Sequence, residues 1–198
     1  MTHRLVLAAL CAGVVACASP QSRDAGIADG LPASLGLGRT ATPAEIGAID
    51  VDVSPNGVGL PAGSGTPEQG VAVYRMNCAT CHGNDGEGHP PLYPQLIGGR
   101  RGSFNFANDP TMIRTIGNYW PYATTIFDYV RRAMPFGAPR ALTDDQYYAV
   151  TAYLLQREGI IQPGTVIDAK SLPAVQMPAR SHFVLDDRAG TTGGKNVR

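Results

Sequence analysis

Charge is scarce in this chain: only 16% of its 198 residues are Asp, Glu, Lys or Arg, and 16 basic residues balance 16 acidic ones. If Arg4 leaves with an N-terminal export segment, 15 basic residues face 16 acidic ones, a net charge near −1. That balance lacks the basic footprint that grips a phosphate backbone, so nucleic acid is excluded as a partner class. Long hydrophobic runs are missing too. The longest, Leu5 to Ala16, is too short to cross a bilayer and has the length of a secretory signal. Glycine and proline are abundant instead, at 24 and 16 residues. Such a composition predicts one domain in which long irregular segments connect a few helices.

Cysteine is rare, yet two of the four cysteines stand in Cys78-Ala79-Thr80-Cys81-His82. This spacing is that of covalent haem attachment: two thiols add across the porphyrin vinyl groups, and the adjacent imidazole becomes the proximal iron ligand. A structural zinc site normally needs four ligands. Outside the motif only Cys11, Cys17, His3, His89 and His182 remain, three of them in the N-terminal segment. A thioredoxin-like pair needs a βαβ context, and no hydrophobic strand run precedes Cys78. The chain is therefore expected to carry one covalent haem c held by Cys78, Cys81 and His82.

The N-terminus addresses the chain to an exported compartment. Val14-Val15-Ala16-Cys17 resembles a lipoprotein processing site, in which Cys17 is acylated and becomes the new N-terminus. Ala16-Cys17-Ala18 also offers a small-residue site for ordinary signal peptidase. The expectation is a periplasmic protein lipidated at Cys17, meeting the membrane only through that anchor. The predicted organisation is a signal over residues 1–17, a flexible tether over 18–47, a haem domain over 48–160 and a tail over 161–198 partly wrapped on it. Within the arm, Ile46 to Val53 is apolar enough to dock as an extended strand.

Thr66-Pro67-Glu68-Gln69 reads as a helix start with a capping box and proline at the first helical position. Val71, Tyr74 and Cys78 then share one face. A second helix is predicted over Tyr122–Ala133, with Ile126, Tyr129, Val130 and Ala133 in its stripe and Met134-Pro135 as its stop. A third begins at Thr143-Asp144-Asp145-Gln146, packs Tyr147, Val150, Thr151 and Leu154 on the first helix, and ends at Gly159. Between them, the glycine-rich turn Gly83–Gly88 lets backbone approach the porphyrin edge. A carbonyl of Pro90, Pro91 or Pro94 is placed to accept from the second ring nitrogen of His82.

The sixth iron ligand separates carrier from enzyme, because an occupied site transfers electrons and an open one binds small molecules. Met76, two residues before the first haem Cys, cannot reach the opposite face. Met112 reads as core packing, and His89 and His182 are further candidates. Met134 sits on a Pro- and Gly-rich loop able to fold across the distal face, and Met177 on the tail is its rival. Met134 is the expected ligand.

Cys78–His82, the glycine turn and a Met-Pro loop before a C-terminal helix resemble class I cytochrome c. A longer match runs through Thr115–Thr125, Asp128–Pro135 and Leu142–Asp145. It is similar to the cytochrome subunits of bacterial sulfite dehydrogenases and Sox sulfur dehydrogenases. The resemblance implies an all-α, cytochrome c-like helical domain around the haem and His82 with Met134 as axial ligands. It also implies a role in sulfur oxidation as the electron-accepting subunit of a molybdenum-cofactor dehydrogenase, with a downstream cytochrome or oxidase. The chain is read as an electron-transfer protein without catalysis of its own. The alternative is a haem enzyme or small-molecule sensor with a labile distal ligand. No second Cys-x-x-Cys-His is present to suggest a multihaem enzyme. Trp120, Tyr119 and Tyr122 suit core packing, a haem crevice or a docking surface. Arg100, Arg101, Arg131, Arg132 and Arg140 can pair with propionates, with a partner's acidic rim or with solvent.

Overall fold

The computed structural model of the protein describes residues 36–98, 104, 106 and 109–184. The chain divides into two compact units, Met1–Thr42 and Pro43–Arg198, and every element below belongs to the second. Its helices are α1 (Pro43–Ile49), α2 (Pro67–Asn77), α3 (Ala79–His82), α4 (Ile116–Tyr119), α5 (Ala123–Ala133) and α6 (Asp144–Arg157). Strands β1 (Ser64–Gly65) and β2 (Ile167–Asp168) form one small antiparallel pair, and 3-10 turns cover Leu172–Ala174 and Pro178–His182.

Two helices begin as their sequences dictate. Thr66 caps α2, its hydroxyl accepting from the Gln69 amide while the Gln69 side chain accepts from the Thr66 amide. Thr143 and Gln146 repeat the arrangement at α6, with Asp144 and Asp145 in the first turn, where acids suit the positive end of the helix dipole. Residues 147–155 of α6 are buried without interruption, so this helix is the central post of the domain rather than an amphipathic cover.

Helices α2 and α6 cross against each other, as expected, through a narrower seam than the stripe predicts. A Cβ on Gly70 would lie 2.1 Å from the Ala149 carbonyl oxygen, and one on Gly65 would lie 2.2 Å from the Ala149 amide. Backbone meets backbone there, which only glycine allows. The seam consists of Gly70, Val73 and Tyr74, while Val71 and Cys78 are only partly buried at its edge. The second stripe is also displaced. In α5 the buried residues are Ala123, Thr124, Ile126, Phe127 and Asp128, and Tyr129 is exposed. Phe127 sets this orientation by packing its ring 4.5 Å from Tyr148 and 6.2 Å from Tyr147, centre to centre.

The segment expected to be tether and extended arm contains helix α1. Proline at its start and Glu45 in its first turn favour it locally, and none of its residues is buried. Docking begins beyond it, where the Val51 carbonyl accepts from Arg131 and buried Val53 donates its amide to Asp128 Oδ1 at 2.8 Å. The tail is stitched down by Ser64 and Gly65 pairing with Asp168 and Ile167, and by Leu172, Met177 and Ala179 buried in the core.

Candidate haem-binding site

The attachment motif folds into one tight turn. The amides of Cys81 and His82 both donate to the Cys78 carbonyl, at 3.1 and 2.9 Å, so the two thiols and the imidazole leave the backbone within a single helical turn. Gly83 closes the turn at φ 80°, a left-handed geometry that suits glycine.

Two further hydrogen bonds then hold His82, and a third holds its neighbour Gly83. Its Nδ1 lies 2.9 Å from the Pro94 carbonyl oxygen, so Pro94 is the partner among the three candidate prolines. A carbonyl can only accept, so Nδ1 carries the proton and Nε2 is left as the metal-ligating nitrogen. The Gly88 amide donates to the His82 carbonyl at 2.8 Å. Tyr74, completely buried, donates its hydroxyl to the Gly83 carbonyl at 2.9 Å and packs its ring 5.0 Å from Tyr153. Tyr74→Phe retains the ring and leaves that carbonyl without its donor. A loss of about 1 kcal/mol in denaturant unfolding is expected, and a change below ~0.3 kcal/mol would contradict the assigned bond.

Burial, with the nearby Cys81 adding to it, pushes the Cys78 thiol up to about 11. Cys78 is therefore a neutral thiol near pH 7. Among the described residues no cluster of three or more His, Cys, Asp or Glu could hold a metal ion. On the following loop, Glu87 accepts from the Asp85 amide at 2.8 Å. Its own backbone amide and that of Asp85 hold its carboxyl below the usual range.

Of the candidate distal ligands, Met134 is half-buried and caps the C-terminal end of α5, its amide donating to the Val130 carbonyl at 3.0 Å. It opens the loop on which Phe136 stands 89% exposed. Met177 is 5% exposed and belongs to the hydrophobic core, the environment of a packing methionine. Met76 is 81% exposed, Met112 is half-buried beyond a turn at Asp109, and His89 is exposed. The His182 ring stacks on Phe104 at 3.9 Å.

Two arginines considered for propionates are engaged by the protein. Arg131 donates to Asp144 Oδ1 at 3.1 Å and to the Val51 carbonyl at 3.2 Å. Arg132 forks onto both carboxylate oxygens of Asp128, the residue that also holds Val53. Asp128 is thus a tie between the N-terminal segment and α5, and no local pattern marks it. Arg140 is exposed, whereas Arg100, Arg101 and Cys17 lie outside the described residues.

These residues fit a covalent haem. Two uncommitted thiols share a turn with an imidazole whose protonated nitrogen is already bound to a carbonyl. Val71 and Cys78, at the edge of the α2–α6 seam, and Val130 and Ala133 on α5 are only partly buried. When bound, the haem supplies a one-electron couple.

An all-α domain with this turn is that of a c-type cytochrome. The family model for cytochrome c matches residues 67–158, and the chain belongs to the cytochrome c family, with haem c as its covalent cofactor and electron transfer as its role. A chain of the sulfane dehydrogenase SoxCD from Paracoccus pantotrophus is 43% identical and superposes with a TM-score of 0.67, covering 80% of this chain and 76% of that chain. The thiosulfate dehydrogenase of Stutzerimonas stutzeri (strain A1501) is 28% identical over 102 residues. That match takes in 50% of this chain, and the chain spans 29% of the curated relative's length.

Proposed function

We propose that this cytochrome is the electron-accepting subunit of an exported molybdenum-cofactor dehydrogenase that oxidises an inorganic sulfur compound, and that it passes single electrons to a downstream cytochrome or oxidase. The carrying observation is the 43% identity, over 80% of the chain, to a chain of a sulfane dehydrogenase. Cys78 and Cys81 form the thioethers. His82 holds the iron through Nε2, and the Pro94 carbonyl keeps its ring oriented and its basicity raised. Met134 would be the distal ligand, a reading supported by the burial of its rival Met177 in the core. A thioether opposite an imidazole favours the reduced state and closes the iron to substrate, so the residues perform electron exchange without bond chemistry.

The test is copurification with the neighbouring gene product, followed by mixing the oxidised complex with sulfite or thiosulfate. Rapid appearance of the reduced haem spectrum, dependent on the molybdenum subunit, is the expected result. A complex in which the haem stays oxidised with either substrate would refute the reading.

Attachment has its own measurement. Expressed with export and haem-ligation machinery, the protein should retain haem in a denaturing gel, and Cys81→Ala should weaken or abolish the stain. Processed protein that folds without haem would remove the basis of the function. For the anchor, a single acyl chain binds membranes only marginally, so a lipoprotein requires a multiply acylated Cys17. Mass spectrometry of the mature N-terminus should find it, and an unmodified chain beginning at Ser19 would rule it out.

A further inference from the structure

Helix α4 and the 3-10 turn Pro178–His182 pack together around a cavity of about 210 Å³, lined chiefly by Phe104, Phe106, Tyr119, His182 and Phe183. Its walls are an aromatic array. Tyr119 meets Phe106 edge-on at 5.3 Å and Phe183 at 5.8 Å. The array reaches solvent: Tyr119 is 37% exposed and Phe183 42%.

Arg114 stands over this array, and Arg180, on the 3-10 turn that lines the cavity, stacks on Tyr122. The Arg114 guanidinium lies 4.9 Å from the Tyr119 ring centre and 5.8 Å from that of Phe106, and Arg180 lies 4.4 Å from the Tyr122 ring. Among the described residues neither pairs with a carboxylate, in contrast to Arg131, Arg132 and Arg157. A guanidinium stacked on an aromatic face is held in place while its N–H edge remains available, which suits it to bidentate capture of an incoming carboxylate.

The size of the cavity decides the kind of occupant. Small-molecule sites usually measure roughly 300–1,000 Å³, so this one matches a single large side chain. Aromatic pockets flanked by Arg and Tyr are the usual anchors of protein interfaces. We propose that the face formed by α4 and Pro178–His182 docks an acidic partner protein, which inserts one apolar side chain between Tyr119, His182 and Phe183 and sets carboxylates against Arg114 and Arg180. Tyr122, under Arg180, is the cap of α5, so the docked partner sits on the corner from which α5 runs to Met134. The assignment stands on this surface alone and does not depend on the identity of the dehydrogenase.

The probe is the peptide Ac-Glu-Glu-Phe-Glu-Glu-NH2, titrated to millimolar concentration into reduced, isotope-labelled holoprotein and followed by NMR. Shifts confined to residues 114–122 and 178–184 are expected, weakening as salt is raised. The double variant Arg114→Glu/Arg180→Glu, exposed at both positions, should keep its haem spectrum and lose about fivefold or more in affinity. The peptide with lysine in place of glutamate should not bind. Absence of binding, shifts elsewhere, or equal binding of the acidic and basic peptides would overturn the proposal. So would binding that appears only after residues 185–198 are deleted, since the occupant would then be the chain's own C-terminal segment.

Discussion

Met134→Ala should convert the carrier into a ligand-binding haem protein. With the thioether gone, the reduction potential should fall by on the order of 0.1–0.3 V, within the roughly 0.8 V span that axial ligation commands. The red charge-transfer band of Met-ligated ferric haem should vanish, and the reduced variant should bind carbon monoxide rapidly, which the unaltered protein should resist. Met177→Ala should leave the band and the potential near their original values. Its side chain is buried with the core residues, so its removal should instead cost about 2–4 kcal/mol of stability. The reverse pattern, with the band lost in Met177→Ala and kept in Met134→Ala, would reassign the ligand while preserving the carrier. Rapid carbon monoxide binding by the unaltered protein would be more damaging, because a labile distal position belongs to an enzyme or sensor.

The second large effect lies at the crossing of α2 and α6. Gly70→Val introduces a branched side chain whose first carbon would stand 2.1 Å from the Ala149 carbonyl oxygen and 2.6 Å from Tyr153 Cβ. The neighbour is main chain in the most buried helix of the domain, so relief requires the two helices to separate. A loss of about 3 kcal/mol or more is expected, large against the 5–15 kcal/mol that typically holds a domain together. Because Cys78 follows directly from α2, haem attachment should become incomplete as well. Ala72→Val, on the exposed side of the same helix, controls for β-branching and should cost about 0.5 kcal/mol. Thermal unfolding of the two holoproteins decides the matter, and a difference below ~1 kcal/mol between them would show that the crossing can open cheaply.

Much of this architecture is legible residue by residue because its signals are local. Thr66 with Gln69 and Thr143 with Gln146 mark helix starts through bonds that span three residues, and both boxes form as read. Pro135 stops α5 and Gly159 follows the end of α6 for equally local reasons. The orientation of those helices was less legible. The stripe of Val71, Tyr74 and Cys78 satisfies a helical period, yet Gly70 decides which face meets α6, because closeness of approach matters more than apolar area at that crossing. In α5 the same period admits Tyr129, and the packing of Phe127 between two tyrosines turns that residue outward. Helix α1 falls where the sequence reads as tether and extended arm, because the helix buries nothing and burial is what periodicity detects.

The covalent chemistry was determined by sequence alone. The spacing of Cys78, Cys81 and His82 specifies how a haem is joined to one helical turn whatever surrounds it, and the capping residues specify where the main helices begin. Tertiary structure decided everything that depends on distant segments meeting. It chose Pro94 over Pro90 and Pro91 as the partner of His82, set the Tyr74 hydroxyl on Gly83, and turned Asp128 into the tie for Val53. It also sent Met177 into the core. A carbonyl, a hydroxyl or a thioether is the same group wherever it stands in the chain, and its role depends on which groups folding brings within about 3 Å of it.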